Sequence, residues 1–270
     1  GHTVAMTGDG VNDILAMKES DCSITVAAGS DATKNIAHIV LMDNNFNSMP
    51  HVVAEGRRVI NNIEKSSSLF LMKTLFTMVF AIISIMRKAV FPFDSQMMML
   101  LEVMVIGIGS FFLSMQANHN KVNGKFVAYL FSHAIPGACI LIFNVMIAEL
   151  ICTYCYGNGL PEIGKMKDTL NVAALTLGGI ANLHIISKPY NLYRSVLVSV
   201  ITAVSLIFMC SGWLMSFMNM PSLLFDLRIY WGNIAVLVSL VFIDVLLGKG
   251  LTKLIEYTTK TKKKRPAANN

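Results

Sequence analysis

The chain has 270 residues, of which 54% are hydrophobic and only 14% are charged, and its formal net charge is +6. Soluble domains usually carry about a quarter charged residues, so this composition indicates a membrane protein. The positive charge does not indicate nucleic-acid binding, because much of it lies in the tail between Lys249 and Arg265, where basic residues beside a membrane helix face anionic lipid.

The first 47 residues alternate short apolar segments with helical stretches. The apolar segments are residues 3–6, 23–27 and 39–42, and each is bounded by Gly, Asp or Ser. This alternation predicts that residues 1–47 form the edge of an α/β domain with a parallel sheet. Because about 45 residues cannot bury a core of their own, we expect the rest of this domain to lie upstream.

The remainder of the chain predicts a stalk helix followed by an all-α membrane domain. Apolar and charged residues interleave over residues 48–68, which predicts a cytoplasmic helix that continues directly into an apolar run. The membrane domain covers residues 69–248, and a basic tail occupies residues 249–270. About 20 apolar residues are needed to cross a bilayer. Six stretches meet that need, near residues 67–87, 96–117, 126–151, 169–187, 194–215 and 229–248.

Placing the front of the chain in the cytoplasm fixes the side of every loop. The inner flanks, which include Lys121, Lys188 and the tail, then carry more basic residues than the outer flanks, in agreement with the positive-inside rule. We therefore expect a multi-pass protein of the cell membrane whose N-terminal part and C-terminal tail are both cytoplasmic. Cys152 and Cys155 then lie near the outer edge of the membrane. Their spacing leaves a disulfide between them as an open alternative but gives little support for a metal site.

Residues 7–13, with the sequence TGDGVND, have the composition of a phosphate and metal site. Gly8 and Gly10 allow a tight turn and a close approach to an anion. Asp9 and Asp13 are hard oxygen ligands of the kind that hold Mg²⁺ beside a phosphoryl group. Asn12 can donate to phosphate or cap the helix that follows. An Asp/Gly turn with a helix cap explains parts of this segment but not the whole of it.

TGDGVND resembles the hinge motif of the P-type ATPases, which belong to the haloacid-dehalogenase-like phosphotransferases. Residues 39–46 (IVLMDNNF) and 55–63 (EGRRVINNI) resemble the sequence that follows it in that family. The resemblance implies a Rossmann-like phosphorylation domain, Asp9 as a ligand of the catalytic Mg²⁺, and Asp13 as the residue that orders the phosphorylation site and supports the metal. It also implies ATP as a cofactor, bound mostly by upstream sequence.

The family's phosphorylated aspartate lies in a DKTGT sequence, which these 270 residues do not contain. The nucleotide-binding domain, the actuator domain and the first four membrane helices have no counterpart either. We therefore expect a C-terminal fragment whose spans correspond to helices five to ten of the family. Its partner would be the missing N-terminal part of the same pump, without which it would hydrolyse no ATP.

Ionisable side chains inside the predicted spans mark a candidate transport pathway, because such groups are costly in a membrane. Lys73 and Thr77 lie four residues apart on one face of the first span, and Glu102 lies in the second. By the resemblance, Thr74 and Thr77 match positions where calcium pumps supply ion ligands, and Glu102 matches an Asn position. Ile106 replaces the family's acidic residue, so the calcium site is not transferred unchanged.

Structural explanations stay open for these residues. Lys73 and Glu102 would form a simple ion pair, or the ammonium of Lys73 would extend to the interface. The many methionines favour packing over copper binding. Weaker candidates in the spans are Glu149, Asp244, and Asn182 with His184.

The predicted function is ATP-driven cation transport. Ca²⁺ or Mg²⁺ is favoured because a carboxylate with hydroxyl and carbonyl oxygens suits hard cations. The expected partners are the transported cation and membrane lipid, and not nucleic acid. Two alternatives stay open, a P-type transporter of lipid or polyamine and a non-catalytic membrane subunit.

Overall fold

The computed structural model describes residues 2–88, 91–122, 126–151 and 161–223, with the backbone alone at 161–166, and scattered positions between 237 and 253. The chain divides into two compact units, one of Gly1–Val59 with His119–Lys121 and one of Ile60–Asn118 with Val122–Asn270. The sixth predicted span and the basic tail lie largely outside the described residues, and Cys152 and Cys155 lie outside them altogether.

The first unit contains a three-stranded parallel sheet in the order β1-β2-β3. The strands are joined by short helices, as parallel neighbours require. Their bounds are β1 (Ala5–Thr7), α1 (Ile14–Glu19), β2 (Cys22–Val26), α2 (Asp31–Ile36) and β3 (Ile39–Leu41). The parallel sheet predicted from the sequence is therefore present, and its haloacid-dehalogenase-like class stays a prediction.

The segment after β3 is held by side-chain hydrogen bonds. Asn44 adopts a left-handed backbone conformation with φ of 54°, and its Oδ1 accepts from the backbone N–H of Ala28 at 2.6 Å. Ala28 follows β2, so this bond ties together the segments that leave two neighbouring strands. The Ser48 hydroxyl and the backbone N–H of Asn45 both donate to Asp43 and lower the pKa of its carboxyl.

Helix α3 runs without a break from Met49 to Arg87, a length of 39 residues. At a rise of 1.5 Å per residue this helix is about 58 Å long, more than a bilayer core needs. The predicted stalk and first span are therefore one helix. Its buried face carries Leu69, Met72, Phe76 and Phe80, whose spacing of three or four residues is that of one helical stripe.

The rest of the second unit is helical. The elements are α4 (Ser95–Leu100), a π-helix (Leu101–Gly109), α5 (Ser110–Ser114), α6 (Phe126–Ile151), α7 (Pro161–Ile186), α8 (Leu192–Cys210) and α9 (Gly212–Ser216).

Five helices within the described ranges are long and apolar enough to cross a membrane, which supports the prediction of a membrane protein. They are Phe46–Arg87, Ser95–Ser114, Phe126–Ile151, Lys167–Ile186 and Leu192–Cys210. Each corresponds to one of the first five spans that the sequence predicts.

Helix α7 lies at the centre of this unit. Its apolar window is 83% buried, against 28% for that of α3. Small residues allow this packing: a Cβ on Gly179 would lie 2.3 Å from Leu101 Cδ1, and one on Gly178 would lie 2.7 Å from Asn144 Nδ2. Gly178 and Gly179 therefore let neighbouring helices approach α7 closely.

The fifth predicted span, 194–215, is two helices in the structure. Helix α8 ends at Cys210, and Ser211 has extended backbone angles of φ −81° and ψ 114°. The Ser211 hydroxyl accepts from the N–H of Leu214 at 3.4 Å and so begins α9. Hydropathy alone does not detect this break, because the residues on both sides are apolar.

Replacing Asn44 tests the tie between the segments that follow β2 and β3. Asn44→Ala removes the acceptor for the N–H of Ala28. It also places in the left-handed region a residue whose side chain cannot form a hydrogen bond. We therefore expect a loss of about 1–2 kcal/mol of local stability. The measurement is amide hydrogen exchange of the peptide containing Ala28, which should accelerate about tenfold or more. Asn44→Gly, which tolerates the backbone angle, should accelerate it less. Equal exchange in all three proteins would contradict this assignment.

Candidate functional site

The loop formed by residues 7–13, named here the TGDGVND loop, is closed by the side chain of Asp13. Oδ2 of Asp13 accepts from the backbone N–H groups of Asp9 at 3.2 Å and of Gly10 at 3.1 Å. Residues Val11–Asp13 form a single 3₁₀ turn that leads into α1 and places the carboxylate over the loop. Asp13 therefore determines the conformation of the segment that carries Asp9.

The two glycines of the loop have different roles. A Cβ on Gly8 would lie only 2.5 Å from Asp13 Cβ, whereas the nearest atom to a Cβ on Gly10 would be Asp13 Oδ2 at 3.7 Å. Gly8 also donates its N–H to the carbonyl of Ile24 at 3.1 Å, which extends the pairing of β1 with β2. A side chain at position 8 would thus displace Asp13, while position 10 has room for one.

The backbone of Asp9 is held by the segment that follows β2. Its carbonyl accepts from the N–H of Ser30 at 2.9 Å and from Thr33 Oγ1 at 3.4 Å. Ser30 is the N-cap of α2, so the carboxyl ends of two parallel strands are joined here. The side chains of Asp9 and Asn12 are exposed at this edge. The sheet edge therefore presents one exposed carboxylate beside a second, Asp13, that is engaged by the loop.

This edge has the donor chemistry of a Mg²⁺ site. The loop offers two carboxylates, those of Asp9 and Asp13. Within the described ranges, no group of three or more His, Cys, Asp or Glu residues comes together. Mg²⁺ usually keeps several waters and takes only one or two protein carboxylates together with phosphate oxygens. The residues present therefore fit Mg²⁺ that is shared with a phosphoryl group.

In the membrane unit the structure brings Lys73 and Glu102 together. Nζ of Lys73 on α3 donates to Oε1 of Glu102, which lies on the π-helix. Both side chains are partly exposed at the surface of the described bundle. An isolated charge in hydrocarbon is costly, and this contact leaves the pair with no net charge.

The two threonines of the predicted pathway differ in their surroundings. Thr77 is half-buried and donates to the carbonyls of Lys73 at 3.1 Å and Thr74 at 3.0 Å. Thr74 is exposed and donates to the carbonyl of Phe70 at 3.1 Å. Both hydroxyl protons are therefore used within α3, and each oxygen retains a lone pair to offer a ligand.

Glu102 lies in an unusual backbone segment. The π-helix spans nine residues, Leu101–Gly109. Wide turns of this kind are rare and occur frequently at functional sites. A Cβ on Gly107 would lie 3.2 Å from the carbonyl oxygen of Glu102, so the wide turn brings this carbonyl close to Gly107. The sequence predicts the span but not this geometry.

A set of hydrogen bonds that the sequence did not predict joins α3 to α5 and to the residues just after it. Nδ2 of Asn62 donates to the carbonyls of Ser114 at 2.8 Å and Gln116 at 2.7 Å. Ser66 Oγ donates to the carbonyl of Ser110 at 3.1 Å. The last carbonyls of a helix have no partner within it, and Asn62 supplies one at the C-terminal end of α5. The signal was an Asn pair, Asn61 and Asn62, in a helix interior, where Asn is unfavourable.

Arg194 is a second residue with an unpredicted role. Its side chain is buried in the first turn of α8. It donates to Gln116 Oε1 and to the carbonyls of Ser187 at 3.3 Å and Pro189 at 2.6 Å. The guanidinium therefore satisfies backbone carbonyls just after α7, a position where a cation is favourable.

Replacing Asp13 tests how the TGDGVND loop is held. Asp13→Ala removes the acceptor for two backbone N–H groups, so we expect amide exchange in the peptide containing Asp9 and Gly10 to accelerate about tenfold. Asp13→Asn keeps an acceptor oxygen and serves as the matched control, with a smaller effect. Exchange that is unchanged in Asp13→Ala would show that other contacts hold the loop.

Replacing Asn62 tests the attachment of α3 to α5. Asn62→Ala leaves the carbonyls of Ser114 and Gln116 without their side-chain donor, at a cost of about 1–3 kcal/mol for the two hydrogen bonds. We expect a clear fall in the thermal midpoint of the purified chain in detergent. Ile63→Ala, at an exposed position of the same helix, is the control and should leave the midpoint nearly unchanged. Equal midpoints for the two variants would contradict the role of Asn62.

Comparison with known proteins identifies the family. No protein-family model matches the chain. It is 36% identical over 209 residues to the calcium-transporting ATPase CtpE of Mycolicibacterium smegmatis, covering 74% of this chain and 26% of that protein. It is 39% identical over 158 residues to the probable cation-transporting ATPase exp7 of Streptococcus pneumoniae, covering 56% and 20%.

A third relative is the P-type sodium-transporting ATPase4 of Toxoplasma gondii, which is 36% identical over 108 residues, 40% of this chain and 8% of that protein. The chain thus spans about a quarter, or less, of the length of these three relatives. On this similarity, together with its membrane helices and TGDGVND loop, the chain belongs to the P-type cation-transporting ATPase family.

Proposed function

We propose that the chain is the C-terminal part of an ATP-driven P-type cation pump, which couples formation and hydrolysis of an aspartyl phosphate to ion transport. The observation that carries the proposal is the TGDGVND loop, in which Asp13 binds two backbone N–H groups and leaves the Asp9 carboxylate exposed at the sheet edge. Such an edge suits a phosphoryl group with its metal. The phosphorylated aspartate and most of the ATP site would be supplied by the rest of the pump.

In this proposal the residues of the loop have separate tasks. Asp9 holds Mg²⁺ through its exposed carboxylate, and Asp13 supports the metal indirectly by fixing the backbone that carries Asp9. Asn12 is exposed at the same edge and can donate to a phosphoryl oxygen. Bound Mg²⁺ would neutralise charge on the phosphoryl oxygens. Gly8 is needed because a side chain at this position would clash with Asp13 and displace its carboxylate.

Helix α3 supplies the mechanical connection in this proposal. It is continuous from Met49 to Arg87, and Lys73 lies on it two-thirds of the way along. A helix with an unbroken hydrogen-bond ladder transmits a tilt or rotation along its length. Movement imposed on its first turns would therefore displace Lys73 relative to Glu102 and change access to the ion site.

The transported ion is proposed from the chemistry of the pair and from the relatives. Glu102 is a hard oxygen ligand, and Thr77 adds a hydroxyl and backbone carbonyls nearby. This set suits Ca²⁺ or Mg²⁺, and calcium transport in the name of the mycobacterial relative favours Ca²⁺. The ammonium of Lys73 would act as an internal counter-ion, which leaves Glu102 when the metal arrives and returns when it departs.

The experiment uses the full-length pump, expressed with its upstream sequence, and measures Ca²⁺-dependent phosphoenzyme formation from ATP. We expect Glu102→Gln to raise the Ca²⁺ concentration needed for half-maximal phosphorylation about tenfold, since one charged ligand is worth at least 1.4 kcal/mol or so. Lys73→Ala should also alter this concentration. Glu149→Gln makes the same chemical change at a carboxylate that pairs with Lys167, and it should have little effect.

Two further arms test the catalytic part of the proposal. Asp9→Asn should abolish Mg²⁺-dependent phosphoenzyme in the full-length pump, and the 270-residue chain alone should form none. Unchanged Ca²⁺ dependence in both Glu102→Gln and Lys73→Ala would remove the pair from the pathway. Steady phosphoenzyme formation by the isolated chain would overturn the assignment of the nucleophile to upstream sequence.

A further inference from the structure

A second polar pair lies deep in the bundle, on helices other than those that carry Lys73 and Glu102. Asn144 on α6 and Asp244, at a helical position of the sixth predicted span, are both fully buried. Nδ2 of Asn144 donates to Asp244 Oδ2 at 2.7 Å and to the backbone carbonyl of Ala174 on α7 at 3.3 Å. Three helices therefore meet at one amide and one carboxyl group.

The hydrogen bonds fix the orientation of the Asn144 amide. Its nitrogen faces two acceptors, the carboxylate of Asp244 and the carbonyl of Ala174. The flipped amide would direct its own carbonyl oxygen toward the Ala174 carbonyl and forgo that hydrogen bond. Both N–H donors of Asn144 are thus used, and neither is left for another group.

Two oxygens of this pair have no hydrogen-bond partner among the described residues, Oδ1 of Asn144 and Oδ1 of Asp244. Both are acceptors if Asp244 is ionised. A buried carboxylate with one donor and no cation is far from satisfied, because burying a charge requires pairing. A proton on Asp244 removes the charge and turns one unpartnered acceptor into a donor.

Several other ionisable or aromatic-stacked groups on α6 and α7 have partners of their own. Glu149 on α6 pairs with Lys167 on α7 at 2.7 Å. The His133 ring on α6 stacks on Tyr129, and the His184 ring on α7 packs against Tyr190. Within the described part of the chain, no ion pair involves Asp244, and its side-chain hydrogen bond is the one with Asn144.

The described residues of this site offer too few oxygens for a metal ion. Mg²⁺ and Ca²⁺ take six or more oxygen ligands, roughly, whereas the described pair leaves two oxygens unused. The surroundings are also tightly packed: a Cβ on Gly178 would lie 3.2 Å from Leu141 Cδ2, 3.3 Å from Ile140 Cγ2 and 2.7 Å from Asn144 Nδ2. A proton needs no such coordination shell.

We propose that Asp244 and Asn144 form a proton-binding site in the membrane bundle. The proton is bound by the carboxyl group of Asp244, and the Asn144 amide donates a hydrogen bond to the resulting neutral carboxylic acid. The ligand is H⁺, and the site is separate from the Lys73–Glu102 pair. It does not depend on the proposed pump mechanism, because burial and hydrogen bonding alone define it. A carboxyl group that takes up and releases a proton when the protein changes conformation would be a second ion-binding site in the bundle, in addition to the Lys73–Glu102 pair.

Infrared spectroscopy of the purified 270-residue chain in lipid nanodiscs tests the proposal. At neutral pH we expect a carbonyl stretching band of a protonated carboxyl group that shifts in D₂O and disappears in Asp244→Asn. Asp168→Asn, a carboxyl-to-amide change on α7, is the matched control and should keep the band. Asn144→Leu, which removes the amide, should shift its frequency.

Several results would overturn the proposal. One is the absence of the band in the wild-type chain, and another is its persistence in Asp244→Asn when thermal unfolding shows a folded protein. A band that does not respond to D₂O would mean a locked structural proton rather than a binding site. Loss of the band on adding Na⁺, K⁺ or Ca²⁺ at constant pH would assign the site to a metal cation instead.

Discussion

Hydrocarbon supplies no hydrogen-bond partner, so every polar group inside the helical bundle must find one on the protein. The structure meets much of this constraint by pairing side chains from different helices, and the oxygens of Asn144 and Asp244 that are unpartnered among the described residues are a place where it does not. Asn62 of α3 donates to two carbonyls, one at the end of α5 and one just beyond it. Lys73 of α3 donates to Glu102. Asn144 of α6 donates to both Ala174 and Asp244. Each bond fixes the position of one helix along another. The apolar packing around α7 then adds stability without having to select the register alone.

The TGDGVND loop follows the same rule at the edge of a sheet. Two consecutive backbone N–H groups, of Asp9 and Gly10, have no partner in a strand or a helix, and Asp13 accepts from both. The cost is that one carboxylate is committed to structure. The consequence is that the other, Asp9, is exposed on a backbone that cannot rearrange freely. Gly8 is required because the Asp13 side chain occupies the space a Cβ would need.

Local pattern predicted most of the elements but few of the contacts between them, and the Lys73–Glu102 pair is a contact that it did suggest. Apolar run length predicts a membrane helix, because a bilayer sets that length, and the stretch that became α6 was predicted with the same bounds as in the structure. The π-helix around Glu102 and the break at Ser211 were missed, since neither changes hydropathy. Asp244 had no visible partner in sequence, because Asn144 lies 100 residues away and only helix packing brings the two together.

Transport as proposed above depends on Lys73 and Glu102 neutralising each other at the surface of the described bundle. A double-mutant cycle tests it through the thermal midpoint of the chain in lipid nanodiscs, with Lys73→Met, Glu102→Gln and the two combined. If the residues form a pair, each single change leaves an uncompensated charge and lowers the midpoint, and the double variant recovers most of the loss. A double variant whose loss equals the sum of the two single losses would contradict the claim.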